Sequence, residues 1–482
     1  MVSDIQHRIR RLLGAVIVVF VGLLVWQSYW HLVKSDWLFA QQTNRRLSRV
    51  ERNTPRGAIL DRNGNRLAWT EGNTRRYADA RATADVLGYL DPVYGRTGVE
   101  GEFNLELAGI SRKFTANELH RIMANEQPRG NDVVLTLDLR LQQEAALALG
   151  QRKGAVAVLD PATGAILALA TYPTFNPETL RDEFKTLSKE EDGPLRNRAV
   201  QDLYPAGSTM KVVTASAALM NGVDPATRYT CTGHTRAYNV NITDFHGERH
   251  GSVDMTKALV YSCNNYFAHT AAELSQQAFF TTAENFGLGE RWWQTKLPDP
   301  RMLPLSIAKS SLAPDMHAEI SQGERAHMGF GQSTVVVTPL QMAMVSAAIA
   351  NGGKLMTPYL VREVRKGGTP QALTTFTSAP MGYPVSQEVA GQVTEMMRQV
   401  VLHGTGTGAN LHDLTVYGKT GTAEQEIDGT RVEHAWFMGF AEREHTGATE
   451  RIAFAVLIER GGTGGRIAVP VARQLLERWA KL

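Results

Sequence analysis

Three short strings constrain this chain more than anything else in it. Ser208-Thr209-Met210-Lys211 comes first, Ser262-Cys263-Asn264 begins 54 residues later, and Lys419-Thr420-Gly421-Thr422 lies far downstream. A serine hydroxyl is a poor nucleophile at neutral pH without a neighbouring base. A lysine becomes that base only if burial or a second cation lowers its pKa. Ser208 and Lys211 are three apart, which places them on one face of a helix. Tyr204-Pro205-Ala206-Gly207 supplies a turn, so a helix starts at or just after Ser208, and its N-terminal N–H groups favour developing negative charge. Lys419 is a suitable second cation and Ser262 a proton relay. The Asn264 amide can hold Lys211 and donate to a substrate carbonyl. Lys419–Thr422 reads as a strand whose edge can pair with extended substrate, with Gly421 where bulk would obstruct it. The backbone N–H groups of Ser208 and Thr422 are the expected oxyanion hole. Each string alone is weak, since Ser-Cys-Asn is more often a helix cap. Together, in this order, they predict one catalytic centre.

The N-terminus predicts the compartment. Arg8, Arg10 and Arg11 precede Leu12–Trp30, which has no charged residue. At about 1.5 Å per helical residue this run spans roughly 30 Å, the thickness of a bilayer's hydrocarbon core. Trp26, Tyr29, Trp30 and Trp37 cluster at its far end, as an interfacial belt would. No small-x-small cleavage site follows, so the run reads as an uncleaved anchor with residues 1–11 inside and the rest outside. A net charge of +3, with no basic stripe interleaved with aromatics, argues against nucleic acid as a partner.

Beyond the anchor, arginines 45, 46, 49 and 52 read as a solvated linker or helix. Pro55–Ala68 reads as strand, Asn-Gly turn, strand, and Thr115–Asn125 as helix. Residues 31–130 are therefore expected to form a small accessory domain, and 131–482 the catalytic one. In the latter, Leu139–Leu149 is helical by pattern, and Gly154–Leu159 and Ala165–Thr171 form a hairpin. The middle, from Asn176 to about Met396, is mostly helical and loop-rich. Thr415–Ala423 and Glu433–Ala441 flank an Asp428-Gly429 turn, Arg451–Glu459 is a further strand, and Val471–Leu482 an amphipathic helix. The class is α+β, with a five-stranded antiparallel sheet flanked by helices. Gly404–Gly408 lacks a phosphate loop's Lys-Ser/Thr and reads as a flexible loop over the active site, its glycines consistent with positive φ. Gly461–Gly465 reads as a turn.

The three motifs resemble those of class B penicillin-binding proteins, and the resemblance extends along nearly the whole chain. Arg56–Arg62, Gly98-Val99-Glu100 through Gly109, and Asn197-Arg198-Ala199 are similar to the family's motifs. So are Gly329-Phe330-Gly331-Gln332, Thr338–Ala343 and His434-Ala435-Trp436-Phe437. The resemblance implies a pedestal-like accessory domain and a penicillin-binding, serine β-lactamase-like transpeptidase domain in the bacterial inner membrane. It implies Ser208 as acylated nucleophile, Lys211 as base, and Ser262 and Asn264 as relay and amide contact. Lys419 and Thr420 would bind the donor's terminal carboxylate, with Gly421 between them and Thr422. The substrates would be stem peptides ending in D-Ala-D-Ala, the inhibitors β-lactams, and the partner a SEDS-family glycan polymerase, in elongation or division. No cofactor is needed for the chemistry. The accessory domain is short for the family, which leaves family partner contacts open. A D,D-carboxypeptidase, a β-lactamase and a non-catalytic penicillin sensor are the alternatives.

Cys231, Asp244, His250 and Cys263 form C-x12-D-x5-H-x12-C, residue types competent to close a structural zinc site. His246 and Glu248 are possible substitute ligands. Some elongation-type members of the resembled family hold structural zinc in this interval. A Cys231–Cys263 disulfide and two free thiols are the other readings.

Overall fold

The computed structural model describes residues 2–32, 34, 54–72, 74–110, 129–427, 429–445 and 447–482. The arginines at 45, 46, 49 and 52, Trp37, the Thr115–Asn125 helix and Asp428 lie outside these residues.

Val2–Leu32 is one helix. Its Gln6–Trp30 portion is long and apolar enough to cross a membrane, and its apolar 18-residue stretch has a mean hydropathy of 2.2 and is not buried by the rest of the protein. Among the described residues no other helix meets that standard.

A five-stranded antiparallel sheet organises the catalytic part, in the order Thr415–Ile427, Thr430–His445, Ala448–Ile458, Gly154–Leu159, Ile166–Tyr172. Its strands are apolar on both faces because both faces are covered. Side chains alternate between two cores, as a period of two requires. Val156, Val158, Phe437, Phe454 and Val456 meet the helices Leu139–Leu149 and Gly464–Trp479. Ala155, Ala157, Trp436, Met438 and Ala455 face the opposite core. The axis of that core is Pro339–Ala350, a helix buried at every residue, capped by Thr338 Oγ1 accepting from the Gln341 N–H.

The sequence places most of these elements well, with three differences. The C-terminal helix begins at Gly464, not Val471, and carries Pro470 within it, so Gly464 and Gly465 open a helix rather than end a turn. The middle region, where the sequence suggests helix and loop, also holds a small hairpin, His234–Ala237 with Val240–Thr243, enclosed by the antiparallel pair Tyr229–Cys231 and Gly251–Val253. Finally, a six-stranded sheet crosses residue 131. It joins Ile59–Leu60, Arg66–Glu71 and Thr74–Tyr77 to Asp132–Leu135, Val361–Arg365 and Ala372–Thr375.

The accessory segment is pinned by a buried charge cluster. Glu100 accepts from Arg56 Nη2 and Arg75 Nε, each at 2.6 Å, and no Glu100 side-chain surface is exposed. Arg56 also donates to Asn104 Oδ1 and Arg75 to the Gly57 carbonyl. Removing one partner of such a cluster leaves uncompensated charge in a dry site. Glu100→Gln is expected to destabilise the protein by about 3 kcal/mol or more, read as a lowered thermal midpoint of the full-length protein in detergent.

Candidate active site

Ser208 sits on a single 3-10 turn, Gly207–Met210, that runs directly into the helix Lys211–Met220. The helix is rich in alanine and valine and buried along Lys211–Leu219, which lets neighbouring segments approach closely. The turn is clamped from both sides. Gly207 N–H donates to the Gly331 carbonyl at 2.9 Å. Gly207 has φ +54°, and a Cβ there would sit 2.7 Å from the Thr422 carbonyl oxygen. Trp436 Nε1 donates to the Pro205 carbonyl at 3.0 Å, tying the preceding strand to the sheet.

The three motifs converge. Lys211 Nζ lies 3.0 Å from Ser208 Oγ, 2.5 Å from the Ser262 carbonyl, 3.1 Å from Ser262 Oγ and 2.7 Å from Asn264 Oδ1. Lys419 Nζ reaches the same Ser262 Oγ at 2.9 Å and its neighbour's carbonyl, Thr420 O, at 2.9 Å. Both lysines are fully buried. Burial lowers the Lys211 pKa to about 8, against the opposing pull of Cys263 and Asp244. Burial and then the Lys211 charge push Lys419 well below its ordinary value. Lys419 is thus the neighbour expected from the sequence, but burial rather than its charge is what lowers Lys211.

Ser262 holds a left-handed backbone, φ +59°, unusual for a non-glycine residue and characteristic of functional sites. It fills the junction between the helices Met255–Val260 and Asn264–Glu273, the second of which is capped by Cys263. Asn264 Nδ2 donates to the Thr243 carbonyl, which fixes Oδ1 toward Lys211. Asp244 accepts from the Asn264 N–H and from Asn265 Nδ2.

Lys419–Thr422 lies on the sheet's outer strand, paired on one side only, with Thr420 opposite Phe437 and Thr422 opposite Ala435. Gly421 serves a different contact from the one expected. A Cβ there would press on Thr209 Cγ2 and Trp436 Cβ at 3.0 Å, so glycine lets the nucleophile turn pack on the strand.

The four metal-type residues also meet. Their ligand atoms all lie within 4.8 Å of one another, and neither His246 nor Glu248 belongs to the group. Cys231 Sγ is 3.0 Å from Asp244 Oδ2 and 3.4 Å from His250 Nδ1, and Cys263 Sγ is 3.8 Å from Asp244 Oδ2. The two sulfurs are not joined.

Residues 154–477 match the family model of the penicillin binding protein transpeptidase domain, and residues 56–133 that of the penicillin binding protein A dimerisation domain. The chain belongs to the penicillin-binding protein transpeptidase family. The peptidoglycan D,D-transpeptidase PbpA of Mycolicibacterium smegmatis is 32% identical, over 96% of this chain and 97% of that one. MrdA of Acinetobacter baumannii, also a peptidoglycan D,D-transpeptidase, is 29% identical over 84% of this chain and 66% of its own. Penicillin-binding protein A of M. tuberculosis, solved as a ceftriaxone acyl-enzyme, superposes with a TM-score of 0.80 at 31% identity, covering 90% of this chain and 99% of that one.

Within this penicillin-binding protein two residues take part in the site in ways their sequence context does not show. Asp244, whose residue type and spacing suggest a metal ligand, anchors the backbone of Asn264. Thr405, inside the Gly404–Gly408 run, has its hydroxyl 2.5 Å from that of Thr420. The glycines around it are not at positive φ: Gly404 is at −115° and Gly406 at −99°. They allow contact instead, since a Cβ on Gly404 would lie 2.5 Å from the Val260 carbonyl oxygen.

Lowering a lysine's pKa raises its neutral fraction at a given pH. The Lys211 amine is expected to lose its proton near pH 8, well below a free lysine. The ¹³Cε shift of Lys211, assigned by its disappearance in Lys211→Ala, would report that midpoint.

Proposed function

We propose that this chain is a peptidoglycan D,D-transpeptidase working through a Ser208 acyl-enzyme. The observation that carries the reading is the Lys211 amine, buried and within 3.0 Å of Ser208 Oγ while also touching Ser262 and Asn264. Neutral Lys211 takes the Ser208 proton as Oγ attacks the carbonyl between the two D-alanines. Charge building on the carbonyl oxygen is met by the N–H groups of Ser208 and Thr422. The proton passes through Ser262 to the leaving nitrogen, and D-Ala departs. An amine of a second stem peptide then attacks the ester, gives its proton back along the same path and frees Ser208. Asn264 holds the donor's amide, and Lys419 and Thr420 hold its terminal carboxylate. A β-lactam enters the same first step, but its leaving nitrogen stays tethered, so the acyl-enzyme persists.

The setting follows from the anchor. The Gln6–Trp30 helix crosses the inner membrane with its arginine-rich end in the cytoplasm, which puts the catalytic part outside, where its substrate is. A SEDS-family polymerase that supplies the glycan strand is the partner this arrangement suits, in elongation or division.

Cys231, Asp244, His250 and Cys263 are proposed to hold a structural zinc ion. The set fits: two sulfurs, an imidazole and a carboxylate at mutual distances a tetrahedral ion can satisfy. Burial pushes both thiols up, so binding would release their protons. Zinc there would fix Cys263 and Asp244, and through them Ser262 and Asn264.

Incubation of the full-length protein with penicillin should add one penicillin mass that persists, and Ser208→Ala should show none. Rapid loss of the adduct would point to a β-lactamase, and no adduct in the parent protein to a non-catalytic role. For the metal, elemental analysis should find about one zinc per chain. Cys231→Ser should lose that zinc, lower the thermal midpoint and slow acylation. A zinc-free parent protein with undiminished acylation would defeat the assignment.

A further inference from the structure

We infer that Thr405 is a positioning residue for carboxylate recognition: its hydroxyl donates to Thr420 Oγ1 and so leaves the Thr420 proton for the substrate. The inference rests on reading Thr420 as the carboxylate contact. The two hydroxyl oxygens are 2.5 Å apart, and either can be the donor. A threonine hydroxyl has one proton to give and lone pairs to accept with. A carboxylate can only accept. Once one is bound, Thr420 must spend its proton on it, and the shared contact survives only if Thr405 donates. The resulting chain runs Thr405 to Thr420 to carboxylate, each bond polarising the next.

The loop is built to hold that hydroxyl still. Gly404 and Gly406 both donate their N–H to the Val400 carbonyl, at 3.0 and 3.2 Å. Gly404 packs on the Val260 carbonyl, two residues before Ser262, with no space for a Cβ. A Cβ on Gly465 would lie 2.9 Å from the Thr405 carbonyl oxygen, so the C-terminal helix abuts the loop from the other side. Arg473 Nη1 donates to the Gly408 carbonyl at 3.0 Å. Thr420 is 5% exposed, whereas Thr405 is exposed, so Thr405 reaches the buried hydroxyl from the rim of the site. Nothing in this arrangement touches Ser208 or Lys211, so Thr405 acts on where the substrate sits rather than on the bond that breaks.

The test compares two ligands that differ only in the carboxylate: benzylpenicillin and its methyl ester. Second-order acylation rates would be measured on the full-length protein in detergent for the parent, Thr405→Val, Thr405→Ser and Thr420→Val. Thr405→Val should slow acylation by the free acid about tenfold, through weaker binding with the limiting acylation rate retained, and leave the ester nearly unchanged. Thr405→Ser should restore the parent behaviour. The ester rate also certifies that each variant is folded. Equal losses for acid and ester would reduce Thr405 to a structural role and overturn the inference, as would no loss for either. If Thr420→Val itself fails to separate acid from ester, the reading of Thr420 falls and the inference with it. If only Thr405→Val fails to do so, the inference falls alone.

Discussion

Four oxygens from three residues surround the Lys211 amine, and the chemistry of those oxygens decides what the amine can be. The Ser262 carbonyl and Asn264 Oδ1 can only accept, so they claim two N–H bonds. The remaining neighbours are the hydroxyls of Ser208 and Ser262, which can either accept or donate. In the neutral amine the third position is a lone pair, and a hydroxyl can point its proton at it. The cage therefore suits a neutral amine receiving a proton from Ser208 as well as it suits an ammonium. Burial makes the neutral form accessible near pH 8. A second buried amine, Lys419, shares Ser262 Oγ, and a charge on Lys211 further disfavours a charge on it.

Such a cage needs its walls fixed, and the walls come from different parts of the chain. Ser262 contributes both a carbonyl and a hydroxyl because its backbone is held at φ +59° between two helices. That conformation costs energy and persists only where the surroundings over-determine it. Here they do: Cys263 caps the second helix, and Asp244 grips the Asn264 N–H from a separate loop. The cluster of Cys231, Asp244, His250 and Cys263 and the catalytic loop are thus one construction, since Asp244 belongs to both. On the opposite side, Gly421 lets Thr209 pack on the outer strand, and Gly207 lets the nucleophile turn reach the Thr422 carbonyl.

This explains what could and could not be read from the sequence. Ser208, Lys211, Ser262, Asn264 and Lys419 were legible because their chemistry is meaningless apart, and the structure brings all five together. The four metal-type side chains were legible from residue type and spacing, and they too meet. Gly154–Leu159, Ala165–Thr171 and Arg451–Glu459 were legible as runs of strand length, and Thr415–Ala423 and Glu433–Ala441 from the Asp428-Gly429 turn between them. What escaped depends on tertiary contact rather than local pattern. The helix from Gly464 opens on glycines and carries Pro470, which local propensity reads as a break. The role of Gly421 is set by Thr209, more than two hundred residues away in sequence. Thr405 carried one usable signal, a threonine between glycines beside the outer strand, but its partner could be named only once the loop was seen against Thr420.

The boundary near residue 131 shows the same limit in a larger element. The sequence divides the chain there, yet the backbone is packed across it: a Cβ on Gly130 would lie 1.9 Å from the Leu107 carbonyl oxygen. Asp132–Leu135 then pairs in parallel with Ile59–Leu60 on one side and antiparallel with Val361–Arg365 on the other. Just beyond, Thr136 Oγ1 lies within hydrogen-bond reach of the Ile166, Tyr359 and Leu360 carbonyls, 2.8 Å from the first, and Gln142 Nε2 donates to the Ala82 and Leu169 carbonyls. The Gln142 bond to Ala82 and the strand pairing with Ile59–Leu60 join the accessory segment to the catalytic part. Hinging between them would expose several buried backbone acceptors at once, each at a cost of about 1–3 kcal/mol. The accessory part is therefore built into the same six-stranded sheet as Asp132–Leu135 and Val361–Arg365, with Glu100 and its two arginines holding its own elements together.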